Sequence, residues 1–99
     1  MQSLAVEIVI AMPDVTMIDF DLEVDASGLL CPLPLLHLKK ALMEVQSGDV
    51  IKIIATDPAA HLDIGVYVDQ CGHQILGLTK AENVQVFFIR KKIQNRSPD

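Results

Sequence analysis

Gly28-Leu29-Leu30-Cys31-Pro32-Leu33-Pro34 joins a predicted strand to a predicted helix and decides how the first half of the chain folds. Proline fits into a helix only in its first turn, where its missing N–H would have had no partner. The two prolines therefore predict a helix that begins here, with Cys31 as its N-cap, Pro32 at position N1 and Pro34 at position N3.

A helix N-terminus favours an anion on the Cys31 sulfur, because it carries roughly half a positive charge and free N–H donors. The thiolate is the nucleophilic form of cysteine. The helix dipole contributes about 0.3–1 kcal/mol at an exposed end, which lowers the pKa of a thiol by less than about 1. We therefore expect a thiol that is modestly activated and still mostly protonated at neutral pH. The same spacing also fits a small buried cysteine beside a common helix entry.

The composition predicts one folded domain that does not bind nucleic acid. The chain has 99 residues, of which 51% are hydrophobic and 21% charged, and this suffices for a single hydrophobic core. Its net charge of −5 argues against nucleic acid as the main partner. No apolar run approaches the roughly eighteen residues that span a bilayer, so we expect no membrane insertion. Lys39-Lys40 and Arg90-Lys91-Lys92 fit solvated faces or docking patches for an acidic protein.

The two cysteines indicate a reducing compartment. Cys31 and Cys71 lie forty positions apart, without a Cys-x-x-Cys pair, which argues against a disulfide scaffold or a thioredoxin-type motif. A reactive free thiol needs a reducing compartment. The first basic side chain is Lys39, so the start of the chain lacks the basic region of a signal peptide. We therefore expect a cytoplasmic protein.

Residues 1–16 are predicted to be an extension that precedes the folded domain. Leu4–Met12 has the β-branched content of a strand, and it fits a strand at a sheet edge, a self-association element or a disordered segment. Met17 is an alternative start of the chain. The domain is predicted to span residues 17–92 and to be followed by a polar tail over residues 93–99.

A strand and a helix are predicted on either side of the Cys31 stretch. Phe20, Leu22 and Val24 alternate with acidic residues, the pattern of a half-buried strand, and a turn over residues 25–28 leads to Cys31. A helix is predicted over residues 32–46, where it ends before a Ser-Gly pair. Its apolar stripe consists of Leu35, Leu38, Ala41, Leu42 and Val45.

The rest of the chain predicts a strand, a helix and a hairpin. Val50–Thr56 is a nearly continuous apolar run, typical of a central buried strand. Asp57 and Pro58 are predicted to be the N-cap and position N1 of a second helix that ends at Gly72. Residues 74–79 and 84–90 are predicted to form an antiparallel hairpin, because only four residues connect them.

The predicted order is βαβαββ, which indicates an α+β two-layer sandwich. Right-handed crossovers place both helices on one face of a mixed four-stranded sheet, and the other face must be polar or covered by a partner. Cys31 follows the first strand, so we expect it at an exposed rim, where reactive residues are often found.

Other polar side chains on the helices are predicted to be structural or solvated. Cys71 shares an apolar helical face with Ile64, so we expect it to pack in the core rather than serve as a resolving thiol. Asp63 and Asp69 lie off that face and are predicted to be solvated. His37 lies about 9 Å further along its helix than Cys31 and is expected to face solvent.

A metal or redox site made of Cys31, Cys71 and the histidines is the weakest of the interpretations. Cys71-Gly72-His73 is a faint hint of one, since no second matched pair accompanies it. No metal and no cofactor is predicted.

Several short segments together resemble a known family. They are Gly28-Leu29-x-Cys31-Pro32-x-Pro34, Lys39-Lys40-Ala41, Asp57-Pro58-Ala59, Asp63-Ile64 and Gly72-His73. These segments resemble the TusA, or SirA-like, family of small sulfur-carrier proteins with a Cys-Pro-x-Pro signature. The resemblance covers about residues 18–92, and the family fold has the βαβαββ order reached above.

The resemblance implies a sulfurtransferase role. The family cysteine accepts sulfane sulfur as a persulfide from a cysteine desulfurase or a rhodanese-like donor, and passes it to an acceptor protein in tRNA thiolation, cofactor assembly or sulfur oxidation. Carried over to this chain, Cys31 is the catalytic residue, and Pro32, Pro34 and Gly28 support its presentation. Attack of one sulfur on another needs a presented thiolate but no metal and no bound cofactor.

Apolar residues replace polar ones around the cysteine. Leu30 and Leu33 stand where many members of the family have charged or polar residues, and His61-Leu62 stands where relatives often have polar or basic ones. We therefore expect a more apolar rim that forms a different docking surface. A non-catalytic binding or regulatory module of the same fold is the alternative function, favoured by this rim and by the N-terminal extension.

Overall fold

The chain forms a four-stranded sheet and two helices. The computed structural model describes residues 18–93; the predicted extension over residues 1–16 and the tail beyond Ile93 lie outside the described residues. The elements are β1 (Leu22–Ala26), α1 (Leu33–Glu44), β2 (Val50–Ala55), α2 (Ala60–Cys71), β3 (Gln74–Ala81) and β4 (Val84–Arg90).

The strands form a mixed sheet in the order β1-β2-β4-β3. β1 pairs parallel with β2, whereas β4 pairs antiparallel with both β2 and β3. The predicted α+β sandwich with a βαβαββ order and a mixed four-stranded sheet is confirmed. Neither helix within residues 18–93 is long and apolar enough to cross a membrane.

The hydrophobic core lies between the sheet and the helices. Because side chains alternate along a strand, Ile51, Ile53 and Ala55 of β2 share the face that the helices cover, and each is fully buried. Full burial of an isoleucine contributes about 1.5–3 kcal/mol to folding. The core cluster comprises Ala26, Leu38, Ala41, Leu42, Ile51, Ile53, Ala55, Ala60, Ile64, Val68, Phe87 and Ile89. The predicted apolar stripe of α1 is thus confirmed, with Leu35 and Val45 half-buried at its edges.

The first strand begins later than predicted, which moves Phe20 to the other side of the sheet. β1 starts at Leu22, and Leu22 and Val24 pack against the core. Phe20 precedes the strand, and its ring lies 6.1 Å from that of Phe88 on the face away from the helices. The prediction that Phe20, Leu22 and Val24 share one face is therefore wrong for Phe20, because Phe20 precedes β1 and the alternation of the strand does not extend to it.

The face of the sheet opposite the helices carries a small aromatic cluster. Phe88 pairs in register with Lys52 and is only 3% exposed. The Lys52 ammonium lies 5.2 Å from the centroid of the Phe20 ring and 5.9 Å from that of Phe88. A cation over aromatic rings contributes about 0.5–1 kcal/mol at an exposed site. Phe20 and Lys52 therefore cover an apolar residue that the helices do not reach.

Both helices are shorter than predicted at their N-termini. α1 begins at Leu33 with Pro32 as N-cap, and α2 begins at Ala60 with Ala59 as N-cap. Asp57 and Pro58 therefore precede α2, and the positions predicted for them are wrong. Asp57 still organises the entry, because its carbonyl accepts the Ala60 N–H over 3.0 Å.

Gly72 ends α2 in the left-handed conformation. Its φ is +83°, and its N–H and that of His73 donate to carbonyls in the last turn of the helix. A Cβ at Gly72 would lie 3.1 Å from Cδ of Lys92, whereas a Cβ at Gly65, inside the same helix, would meet nothing within 4 Å. Position 72 therefore requires glycine, whereas position 65 can accept a side chain.

Gly72→Ala is expected to lower the free energy of unfolding by about 1–2 kcal/mol, the cost of a side chain in the left-handed region. Gly65→Ala is the matched control and is expected to raise it by about 0.5–1 kcal/mol, because alanine is the better helix former. Urea denaturation measures both. Equal effects at the two positions would contradict the assigned end of α2.

Candidate functional site

Two loops meet at one edge of the sheet because β1 and β2 run parallel. Ala26 and Ala55, the last residues of these strands, are partners in register. The loops that follow them therefore leave the sheet side by side, at the edge where open α/β sheets often carry their sites. The first loop leads through Cys31 into α1, and the second leads through Thr56 and Asp57 into α2.

The second loop holds the first through two backbone N–H groups. The Gly28 N–H donates to Thr56 Oγ1 over 2.8 Å, and the Cys31 N–H donates to Asp57 Oδ2 over 2.6 Å. Gly28 has a φ of +80°, a conformation that favours glycine, and this turn brings the loop back toward Thr56. Hydrogen bonds to a charged acceptor belong to the stronger class. The cysteine loop is thus held at Gly28 and at the backbone N–H of Cys31 itself.

Asp57 is itself fixed to the rest of the domain. Its Oδ1 accepts the Ala59 N–H over 3.1 Å, and its carbonyl accepts a hydrogen bond from Nε2 of Gln85 over 3.0 Å. Gln85 is 4% exposed and pairs with Ala55 across the sheet. Asp57 therefore connects the cysteine loop to the buried end of β4.

The Cys31 side chain is exposed and contacts α2. Its Sγ donates a hydrogen bond to Oδ2 of Asp63 in the first turn of α2. The predicted N-cap role of Cys31 is wrong: Pro32 is the N-cap of α1, Pro34 occupies N2, and the Cys31–Pro32 peptide bond is cis. Leu33 donates its N–H to the Leu30 carbonyl over 2.8 Å, and Pro34 has no N–H, so the helix end offers the sulfur few donors.

The surroundings of Cys31 favour its protonated form. The hydrogen bond to Asp63 raises the pKa of the thiol above its ordinary value, with smaller contributions from partial desolvation and from the negative charges of Asp63 and Asp57. A carboxylate that accepts the S–H proton stabilises the thiol and repels the thiolate. The expected lowering of the thiol pKa is therefore wrong, because the two carboxylates beside the sulfur raise it.

Comparison with known proteins identifies the family. A family model described as sulfurtransferase TusA matches residues 22–91. The chain belongs to the TusA family. It is 45% identical over 76 residues to the sulfur carrier protein TusA of Allochromatium vinosum, which covers 77% of this chain and 99% of that protein. It is 40% identical over 72 residues to the sulfur carrier protein TusA of Pseudomonas entomophila, covering 73% and 90% of the two chains.

A solved structure shares the fold. The crystal structure of a SirA-like protein from Desulfitobacterium hafniense superposes with a TM-score of 0.64 over 73% of this chain and 99% of its own, at 24% identity. The predicted TusA and SirA-like kinship is thus confirmed, and membership in the TusA family supports a sulfur-carrier role.

In this TusA-family chain, the carboxylates of Asp57 and Asp63 both bind Cys31, which the sequence patterns do not predict. Asp57 was predicted to cap α2, and Asp63 was predicted to be solvated, but Asp63 is half-buried and contacts the sulfur. The missed signal was topological: parallel β1 and β2 bring their following loops together. Both aspartates also belong to the segments that carry the family resemblance. The predictions for His37 and Asp69 are confirmed, since both are exposed.

Cys71 lies apart from this site. It ends α2 eight positions beyond Asp63, about 12 Å along the helix axis. It is half-buried rather than part of the core cluster. Burial and, to a smaller extent, the neighbouring Cys71 side chain raise the pKa of Tyr67. The residue therefore packs beside a tyrosine, remote from Cys31.

The described part of the chain contains no group of three or more His, Cys, Asp or Glu side chains that could hold a metal ion. His73, the residue that hinted at one, accepts the Lys92 N–H on its Nδ1 over 2.9 Å. Burial and the charges of Lys92 and Lys91 lower the pKa of His73. His73 therefore ties the chain after β4 to the end of α2.

The rim around Cys31 is apolar, as expected from its leucines. Leu30 is 69% exposed, Leu33 is 43% exposed and Leu62, next to Asp63 in sequence, is 59% exposed. Leu36 and Val66 are exposed one turn further along the two helices. The site thus combines an acidic centre at the sulfur with exposed aliphatic side chains beside it.

Thr56→Val is expected to lower the free energy of unfolding by about 0.5–1.5 kcal/mol, because it removes the acceptor of the Gly28 N–H while keeping the shape of the side chain. Thr56→Ser retains the hydroxyl and is the matched control, with a smaller loss. Urea denaturation of the two variants measures the difference. A valine variant as stable as the serine variant would contradict the role of Thr56 as an anchor of the cysteine loop.

Proposed function

We propose that this chain is a sulfur carrier that holds sulfane sulfur as a persulfide on Cys31 and relays it from a donor protein to an acceptor protein. The observation that carries the proposal is an exposed sulfur on a loop whose backbone is fixed by Asp57 and Thr56. A carrier needs such an arrangement, because the sulfur must reach into the active site of another protein while its own position stays defined.

The chemistry balances without a metal, a cofactor or an external oxidant. The Cys31 thiolate attacks the terminal sulfur of a persulfide on the donor, a new S–S bond forms, and the S–S bond of the donor breaks. The donor cysteine leaves as a thiolate and takes up the proton of the transferred sulfur. The acceptor repeats the exchange in the opposite sense, and the Cys31 thiol is regenerated.

Three neighbours of Cys31 support its presentation in this proposal. Pro34 is fully buried and fixes the first turn of α1 against the domain. Pro32 restricts the backbone directly after the cysteine, and Gly28 allows the left-handed turn that precedes it. Their role is to position the sulfur, whereas Cys31 alone forms the covalent bond.

The partners in this proposal are proteins in a reducing compartment, which we take to be the cytoplasm. A cysteine desulfurase or a rhodanese-like protein is the proposed donor, and the acceptor serves tRNA thiolation, cofactor assembly or sulfur oxidation. The carrier domain is proposed to span residues 17–92, between an N-terminal extension over residues 1–16 and the tail over residues 93–99. The family match over residues 22–91 supports the proposed extent of the carrier domain.

The test is intact mass after incubation with a cysteine desulfurase and cysteine. We expect one added sulfur atom that a reducing agent removes, no addition to Cys31→Ser, and an unchanged addition to Cys71→Ser, the matched control. Addition to the Cys31→Ser variant would overturn the site, and no addition to the parent protein with any desulfurase or rhodanese donor would overturn the sulfur-carrier chemistry.

The apolar rim favours a second candidate, a non-catalytic binding or regulatory module. Exposed leucines at 30, 33 and 62 are suited to a protein interface whether or not sulfur is transferred. This function requires the surface but not the thiol. If it is correct, Cys31→Ala leaves partner capture and the cellular phenotype intact. If the protein is a sulfur carrier, the same substitution abolishes sulfur transfer and the phenotype that depends on it.

A further inference from the structure

We propose that Asp63 is a positioning residue that keeps the unloaded Cys31 sulfur in its protonated, weakly nucleophilic form until a partner protein displaces the hydrogen bond between them. The inference rests on the proposed function only for its purpose, since the state of the thiol can be measured without sulfur transfer. In this proposal, a residue of α2 controls the reactivity of the cysteine that precedes α1.

Asp63 is hydrogen-bonded to the Cys31 sulfur and sits on a rigid helix. Cys31 Sγ donates to Asp63 Oδ2, while Cys31 N donates to Asp57 Oδ2, so the residue is held at both its backbone and its side chain. Asp63 lies in the first turn of a twelve-residue helix whose next residue, Ile64, is fully buried. The carboxylate is therefore carried by a rigid element and not by a mobile loop.

Among residues 18–93, the charges that shift the pKa of the Cys31 thiol are both negative. They are the carboxylates of Asp63 from α2 and of Asp57 from the loop after β2. Both oppose the thiolate, and the S–H donor makes a hydrogen bond that the thiolate would lose. Because the thiolate is the form that oxidants and electrophiles attack, an unloaded carrier of this kind resists adventitious oxidation although its sulfur is exposed.

Docking of a partner breaks the hydrogen bond between Cys31 and Asp63. A cation or a hydrogen-bond donor from the partner that binds the Asp63 carboxylate competes with the S–H group and reduces the negative charge beside it. The exposed S–H group then releases its proton to solvent, and the thiolate forms only inside the complex, where the donor persulfide is within reach. The apolar side chains of Leu30 and Leu62 exclude water from such a contact.

The test measures the reactivity of Cys31 in a Cys71→Ser background. Asp63→Asn removes the charge, Asp63→Ala removes both the charge and the acceptor, and Asp69→Asn removes the same charge from the exposed far end of α2. The rate of alkylation by iodoacetamide is measured as a function of pH. Each tenfold gain in thiolate raises the rate at neutral pH by roughly three- to fourfold, because a more acidic thiol is a weaker nucleophile.

We expect both Asp63 variants to react at least about threefold faster than the parent at neutral pH, with the midpoint of the profile at lower pH. Asp69→Asn should match the parent. Equal profiles for the parent and the Asp63 variants would overturn the proposal, and so would an Asp69→Asn variant as fast as Asp63→Asn, since the effect would then reflect net charge alone.

A second measurement needs no substitution at Asp63 and covers the case in which those variants fail to fold. The infrared S–H stretch of Cys31 in the Cys71→Ser protein is expected at lower frequency than that of a cysteine in an unstructured peptide, because the S–H group donates to a carboxylate. A frequency equal to that of the peptide would overturn the proposal. Loading of the same protein by inorganic polysulfide separately tests the carrier function, so the two failures can be told apart.

Discussion

The parallel pairing of β1 with β2 is the constraint on which the site depends. It aligns Ala26 with Ala55 and so sends two loops away from the same edge of the sheet. Thr56 and Asp57 can then accept the N–H groups of Gly28 and Cys31. An antiparallel pair would have placed the ends of these strands at opposite edges, and the cysteine loop would have had no neighbour to hold it.

The same arrangement separates exposure of the sulfur from its reactivity. Exposure follows from the position of the loop at the rim of the sandwich, whereas protonation follows from Asp63 on a different element. The sequence predicts that a helix N-terminus activates the thiol, but that effect is small and the carboxylates of Asp63 and Asp57 raise the pKa of the thiol instead. Control of the cysteine thus lies in the packing of α2 beside α1, and it can be altered by whatever binds at that junction.

Local patterns predicted most of the fold because they act over a few residues. Alternation along Leu22 and Val24, the apolar stripe of α1 and the left-handed Gly72 each reflect a period or a backbone conformation that the sequence carries directly. Cys31 was singled out for the same reason, since proline restricts the helix start beside it. The exact starts of both helices were missed because capping depends on which N–H groups are already bonded, as at Leu33.

Local sequence patterns could not predict which side chains surround the cysteine. Asp63 is thirty-two positions from Cys31, and its spacing on α2 predicts only that it lies off the buried face. That this outward side faces another loop follows from the order of strands and from the packing of two helices, neither of which a helical period contains. Phe20 was misplaced for a related reason: whether alternation applies depends on where strand pairing begins.

Native-state hydrogen exchange of the Cys31 amide, resolved by NMR, tests most directly whether the neighbouring loop holds the cysteine in place. We expect this amide and that of Gly28 to exchange far more slowly than in an unstructured peptide, although the Cys31 side chain is exposed, and the protection at Cys31 to disappear in Asp57→Ala. Exchange of both amides at the rate of an unstructured peptide in the parent protein would contradict the anchored loop and the presentation of sulfur that depends on it.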